Sequence, residues 1–215
     1  MVLAAVYEWR GDRRSQDLRP APREVQVERE RLEELALQSW ELRVANGRAG
    51  RRTVLAICPV LKEWVRRRHG RLTYRLTQIL CGHGCFGDFL HRIGREQSAA
   101  CHHCHSDEDT AQHTLETCPA WARERGVLVA AVGQDLSLRA VIAQMVEDEG
   151  KWQAVLTFCE AVVSQKEAAE REREASADAP IIRRRLTGRR RRQYNLLMPL
   201  LDGPRTTDSG ESAGR

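Results

Sequence analysis

A chain of 215 residues has room for one substantial hydrophobic core or two small ones. With 30% charged residues and only 5% aromatics, the composition excludes an extensive core and predicts a modest one flanked by charged segments. No run reaches the roughly 18 apolar residues of a membrane span, and no basic start precedes an apolar leader, so neither a membrane location nor secretion is expected.

In chain order, Pro20 and Pro22 close an N-terminal stub, residues 1–22. From Arg23 to Ala45 the pattern predicts a charged helix with Val25, Leu32, Leu35, Ala36, Trp40 and Val44 near helical spacing, and Asn46-Gly47 is its stop. A basic loop from Gly47 to Thr53 leads to Pro59, a good first-turn residue, and a helix expected to bury Val60, Leu61, Trp64 and Val65. Residues 43–75 hold ten Arg and Lys against one acid, Glu63, a local charge of +9. Thr73 is placed to cap a short helix carrying Leu76, Ile79 and Leu80. Gly82-His83-Gly84 then forces a break before a second short helix with Phe86, Phe89, Leu90 and Ile93.

After a cysteine-rich segment, Pro119 starts a helix with Trp121, Leu128 and Val132, and Ser137 caps another with Val141, Ile142, Met145 and Val146. Lys151 to about Glu174 reads as a long helix that buries Trp152, Val155, Leu156, Cys159 and Val163, while its charged later turns, from Lys166 onward, are expected in solvent. Beyond Ser176 the chain turns polar and arginine-rich, which predicts a disordered tail over residues 177–215. Residues 183–192 alone hold seven arginines and no acid. The organisation is thus a stub (1–22), a basic helical segment (23–97), a metal-binding knuckle (98–120), a helical segment ending in a long charged helix (121–176) and the tail. The fold class is mainly α, a small helical array with an inserted knuckle, and no strand pair or internal repeat is evident outside the cysteine-rich segment.

The chemistry concentrates in residues 101–118. Cys101 and Cys104 are two residues apart, a spacing that aims both sulfurs at one tetrahedral ion; His113 follows after eight residues and Cys118 after four more. Three thiolates and one imidazole form a closed ligand set, so one structural Zn2+ is the expected cofactor, supplying folding energy to a segment too short to fold alone. Seven cysteines, an odd number with no secretory leader, fit reduced thiols in an intracellular setting, cytoplasmic or nuclear, better than disulfides. His102, His103 and His105 are alternatives to His113, and Asp107, Glu108 and Asp109 are placed to contact ligands. Cys81-Gly-His83-Gly-Cys85 also looks metal-like but is embedded between apolar helical turns, and Cys58 and Cys159 read as core thiols. Glu108 is the one tempting general base for a hydrolytic zinc, and four protein ligands argue against that role.

Only three of the 35 cations are lysines, and guanidinium is the better bidentate ligand for phosphate. Arg48, Arg51, Arg52, Arg66, Arg67, Arg68 and Arg71 are therefore candidates for nucleic-acid contact, as are Arg183, Arg184, Arg185, Arg189, Arg190, Arg191 and Arg192 in the tail. The tail cluster also reads as a nuclear localisation signal, and solvated surface is the bland alternative for both blocks.

Three motifs in order carry a family resemblance: Leu72-Thr73-Tyr74-Arg75-Leu76-Thr77-Gln78, then Gly82-His83-Gly84-Cys85-Phe86, then the cysteine cluster with His113-Thr114-Leu115-Glu116-Thr117-Cys118-Pro119-Ala120-Trp121. Together with the helix at Trp152 and the run Lys166 to Arg173, they resemble the C-terminal region of Pol polyproteins from arthropod non-LTR (LINE-type) retrotransposons, over roughly residues 40–173. The resemblance implies reverse transcription of element RNA at a nicked chromosomal target, with the cysteine-histidine knuckle assisting RNA or DNA contact downstream of the polymerase. No Asp-Asp pair occurs, so the polymerase metal signature is absent, and no endonuclease segment is expected ahead of it. Compared with a short retroviral knuckle, the gap before His113 is longer. The expected partners are single-stranded or branched nucleic acid and a polymerase domain outside this chain; the competing readings are a protein-interaction or scaffolding module and a decayed element relic.

Overall fold

The computed structural model describes residues 2–15, 20–47 and 50–177. The tail, with Arg183 to Arg192, and Arg48 lie outside the described residues. Among the described residues the structure is helical throughout, with ten α-helices, two short 3-10 turns and no strand, so the mainly α expectation holds. The chain divides into two units, Met1–Ala168 and Ala169–Arg215.

The first unit begins where the sequence predicts only a stub. Helix α1, Val2–Ser15, packs on α2, Pro22–Ala45, and buries Val6. Pro22 sits in the first turn of α2, and the Glu24 carboxylate accepts the Ala21 N–H at 3.0 Å, which satisfies one of the free donors at the helix start. No α2 residue with a described side chain is buried, although the sequence pattern placed an apolar face there; Leu35 and Trp40 remain 48% and 42% exposed. The basic loop is shorter than expected, because α3, Arg51–Ile57, starts directly after Gly50. Pro59 lies in a 3-10 turn, Cys58–Val60, that leads into α4, Leu61–Arg66. Leu61 and Trp64 are buried as predicted, but Val65 points outward, since a six-residue helix presents only one narrow face to the core.

Thr73 caps α5, Tyr74–Cys81, by accepting the Leu76 N–H on its hydroxyl at 3.3 Å. Gly82, with φ +74°, ends that helix, and α6, Gly87–Arg92, follows with Phe86 and Leu90 buried. Helix α7, Ala111–Glu116, and a 3-10 turn at Pro119–Trp121 bracket Cys118. Then come α8, Ala122–Val132, and α9, Leu138–Glu147, the latter capped by Ser137. Helix α10 runs Glu149–Ala175 and crosses the boundary between the units; the described part of the second unit is its last turns, where Arg173 pairs with Glu170 at 2.8 Å.

The core of the first unit gathers Leu76, Ile79, Phe86, Leu115, Leu128, Ile142 and Met145 around the early turns of α10. Trp152 is 1% exposed and stacks obliquely on Trp64, ring centroids 5.4 Å apart. Gly70 lies against that indole: with φ +72°, a Cβ built there would come within 2.2 Å of the Trp152 ring. Only glycine allows both this backbone conformation and this approach.

Candidate metal centre

Backbone hydrogen bonds shape the cysteine-rich segment before any metal is considered. His105 N–H donates to Cys101 O and Cys101 N–H to Ser106 O, both at 2.8 Å, closing a tight turn in which His105 adopts φ +62°. That turn brings Cys104 back beside Cys101. Thr110 caps α7 by accepting the His113 N–H at 2.9 Å, so the first turn of the helix projects His113 toward the cysteines. Arg125, from α8, donates to the carbonyls of Leu115, Thr114 and Cys118, which occupies acceptors otherwise unpaired at the end of α7 and fixes Cys118.

The result is a cluster in which one donor atom each from Cys101, Cys104, His113 and Cys118 lies within 4.8 Å of all the others. The Sγ atoms of Cys101 and Cys118 are 4.0 Å apart, and Cys104 Sγ is 3.3 Å from His113 Nε2. A tetrahedral ion with metal–sulfur bonds of about 2.3 Å needs sulfurs roughly 3.8 Å apart, close to the 4.0 Å between Cys101 and Cys118. These four residues can hold a metal ion. His113 Nδ1 lies 3.1 Å from the Thr117 hydroxyl, which leaves Nε2 facing the thiols. Two of the alternative histidines are engaged elsewhere: His102 contacts Glu96 at 3.2 Å, and His103 packs on Trp121 at 4.9 Å.

Burial shifts the protonation of Cys101, Cys118 and His113. Desolvation raises Cys101, and raises Cys118 to about 12, with the neighbouring thiols adding to the rise. Desolvation also lowers His113, keeping its imidazole neutral. A metal entering here therefore has to displace the thiol protons, while the imidazole is already in the form that ligates.

A second feature supports the site and departs from the sequence expectation. Lys166, expected in solvent, is 1% exposed, and its ammonium contacts both oxygens of Asp109 at 2.9 and 2.8 Å. Asp109 also accepts the Gly87 N–H at 3.0 Å and the Thr114 hydroxyl at 3.4 Å, while its own N–H donates to Ala99 O at 2.7 Å. One carboxylate thus ties the metal loop to α6, α7 and α10. The signal was present in the spacing, because position 166 continues the stripe of 152, 155, 159 and 162 at steps of three and four. The charge of lysine hid it.

No family model and no solved structure matches the chain. Two curated proteins do. A "Retrovirus-related Pol polyprotein from type-1 retrotransposable element R1 4" of Nasonia vitripennis is 29% identical over 124 residues, 55% of this chain and 30% of the relative. A "Putative 115 kDa protein in type-1 retrotransposable element R1DM" of Drosophila melanogaster is 28% identical over 141 residues, 64% of this chain and 13% of the relative. The chain is similar to retrotransposon polyproteins. It spans less than a third of the length of either relative, and the resemblance to non-LTR element proteins read from its motifs agrees with both.

The arginines singled out from sequence occupy different settings. Arg67 lies over Trp64 and Trp152, 4.2 and 4.7 Å from their centroids, and donates to Trp64 O, so it is bound into the core edge; desolvation lowers its pKa. Arg66 faces Glu33 and Glu34 of α2 at 4.0 and 3.9 Å. Arg51, Arg68 and Arg71 are exposed, and Arg52 is half-buried beneath α5. No helix among the described residues is long and apolar enough to cross a membrane.

Proposed function

We propose that this chain is the zinc-binding, nucleic-acid-contacting part of a non-LTR retrotransposon polyprotein, assisting element RNA and target DNA contact during target-primed reverse transcription inside the cell. The observation that carries the reading is the four-donor cluster, set in a chain whose curated relatives are retrotransposon polyproteins. Three thiolates and a neutral imidazole are a soft donor set suited to zinc, and two of the four residues, Cys101 and Cys118, are fully buried. A closed tetrad of this kind holds a loop in shape and leaves no coordination position for a substrate. Cys101, Cys104, His113 and Cys118 would hold the ion; the ion's contribution is to fix residues 101–118 as a rigid knuckle. Arg51, Arg68 and Arg71 then offer exposed guanidinium groups to phosphate, with the tail arginines as a further basic segment. Reverse transcription itself is assigned to the parts of the relatives that lie outside this chain.

Native mass spectrometry tests the first half: one zinc on the parent chain and none on Cys104→Ser supports the site, and no zinc on the parent rejects it. Binding of a labelled single-stranded RNA at several salt concentrations tests the second half. Affinity should fall steeply with salt and the slope should flatten in Arg68→Glu/Arg71→Glu; binding that ignores salt rejects the reading.

A second reading rests on α2. Val27, Leu35 and Leu42 are 59%, 48% and 67% exposed on one helix. A protein-interaction role would appear as concentration-dependent mass in sedimentation, abolished by Leu35→Gln/Leu42→Gln.

A further inference from the structure

We infer that a basic cleft between α3, α5 and α6, separate from the metal centre, is a binding site for one phosphate group, the backbone phosphate of a nucleic-acid strand. This deepens the nucleic-acid reading above and rests on it for the source of the phosphate. The cleft has a volume of about 370 Å³. That lies at the small end of ligand sites. Arg51 and Arg52 enter it from the start of α3, Arg92 from the end of α6, and His83 from the turn between α5 and α6. Asp88 is the one acid in the lining, so the cleft carries a net charge of +2 with His83 neutral. Arg92 is 40 positions from Arg52 in the chain, so the fold, not an arginine run, brings these charges together.

Arg52 is the decisive residue. Its guanidinium is half-buried, and one terminal nitrogen donates to Gln112 Oε1 at 3.1 Å and Ile79 O at 3.4 Å. Gln112 is itself anchored, donating to Leu136 O at 2.9 Å and Glu116 at 3.0 Å, so the fork is held in one orientation. Yet the Arg52 Nε–H is buried without an acceptor, and no carboxylate among the described residues pairs with the group. Desolvation accordingly presses on its positive charge. A half-buried arginine loses part of its hydration, and an anionic partner offsets that loss. An anion in the cleft supplies the countercharge that the protein omits.

The remaining groups are also positioned in advance. The Phe89 ring carries His83 at 4.7 Å and the Arg92 guanidinium at 5.4 Å, holding both at the cleft edge. Gly82 shapes the wall: with φ +74°, a Cβ there would come within 3.3 Å of Arg52 Cδ. Arginine forks present parallel N–H groups that match phosphate oxygens, and a cleft open to solvent lets a strand lay one phosphate in and continue past.

The test uses the full chain, 15N-labelled and zinc-loaded, titrated with inorganic phosphate at constant ionic strength, reading the Arg52 Nε–H and the Gly82 and His83 amides by NMR. The inference expects saturable shifts at these three groups, weakened roughly fivefold or more in Arg92→Gln, where a charge-assisted contact is lost. Lys62→Gln, a charge change outside the cleft, should leave them unaltered. A twelve-nucleotide single-stranded RNA should displace phosphate, and in Arg92→Gln its log-affinity against log-salt slope should fall by about 0.7. Phosphate saturation without displacement by RNA would overturn the strand as the source. Absence of saturable shifts, with RNA binding unchanged in Arg92→Gln, would remove the cleft and leave the nucleic-acid reading standing. Loss of RNA binding in the parent as well would remove both.

Discussion

Helices α2 and α10 have nearly the same length, 24 and 27 residues, and both are dense in Glu and Arg, yet they are stabilised in different ways. In α10 the buried residues Trp152, Val155, Cys159, Val162, Val163 and Lys166 recur every three or four positions and form one stripe. In α2 Val25, Val27, Leu32, Leu35, Trp40, Leu42 and Val44 fall on several sides, and none is buried. Beyond the packing of α1 on it, its support comes from pairs along its own surface, such as Arg29–Glu33 at 3.1 Å and Arg31–Glu28 at 2.6 Å, and from Lys62–Glu34 at 2.8 Å. Exposed pairs contribute little, because two long side chains lose freedom to form a contact that water already weakens. What separates the helices is thus the phase of the apolar residues and not their number. Amide hydrogen exchange should follow that phase, with α10 between Trp152 and Val163 far slower than any stretch of α2.

Removing the proposed zinc is the largest break in this comparison. Structural zinc supplies an apparent ~10–16 kcal/mol in small zinc-dependent peptides, and the metal loop contacts α6, α7 and α10 through Asp109. A chelator, or Cys118→Ser, should abolish the cooperative thermal transition of α5 to α10 while leaving most of the helical signal of α1 and α2, as read by circular dichroism and exchange together. Equal loss in both regions would show that the two are one cooperative system.

Next in size is the buried ion pair. Lys166→Met leaves the Asp109 carboxylate without its ammonium partner and should cost about 3–5 kcal/mol in urea unfolding. Adding Asp109→Leu should recover part of that loss but not all, since the Gly87 N–H and Thr114 hydroxyl then lose their acceptor. By contrast Leu42→Gln on α2 should change stability by no more than about 0.5 kcal/mol, because its side chain is 67% exposed. A large loss at Leu42 would mean that α2 packs against something in solution.

The elements legible in the sequence were those whose signal is local. Thr73 and Ser137 cap the helices they were expected to cap, and Cys101, Cys104, His113 and Cys118 converge as their spacing predicts. Signals that depend on the third dimension were lost. Nothing local marks the start of the chain as a helix until Val6 finds α2, and nothing in Val65 says that α4 turns it outward. Lys166 and Arg67 were assigned to solvent and to phosphate because of their charge, whereas one is neutralised by Asp109 and the other lies across two tryptophans. A charged side chain is placed by its partners, and two of them here, Asp109 for Lys166 and Trp152 for Arg67, are 57 and 85 positions away in the chain.

The smallest effect sharpens the same contrast through pH. Arg75 of α5 donates to Glu160 at 2.7 Å and to Glu167 at 3.0 Å, and the Thr73 hydroxyl donates to Glu160 at 2.8 Å. The Arg75 hydrogen bond, followed by that of Thr73, holds the Glu160 carboxyl below its ordinary 4.5. A carboxyl whose pKa is depressed on folding stabilises the protein fully above its unfolded value and loses that contribution as pH falls through the folded one. Parent and Arg75→Met should therefore differ most at pH 6 and converge as pH drops below 4.5 and Glu160 becomes protonated. Both side chains are about a third exposed, so the difference at pH 6 should stay below about 1 kcal/mol. Unfolding midpoints across that range measure it. A gap that persists at low pH would mean that Arg75 acts by packing its stem between α5 and α10, and the α5–α10 contact would then owe its stability to burial alone.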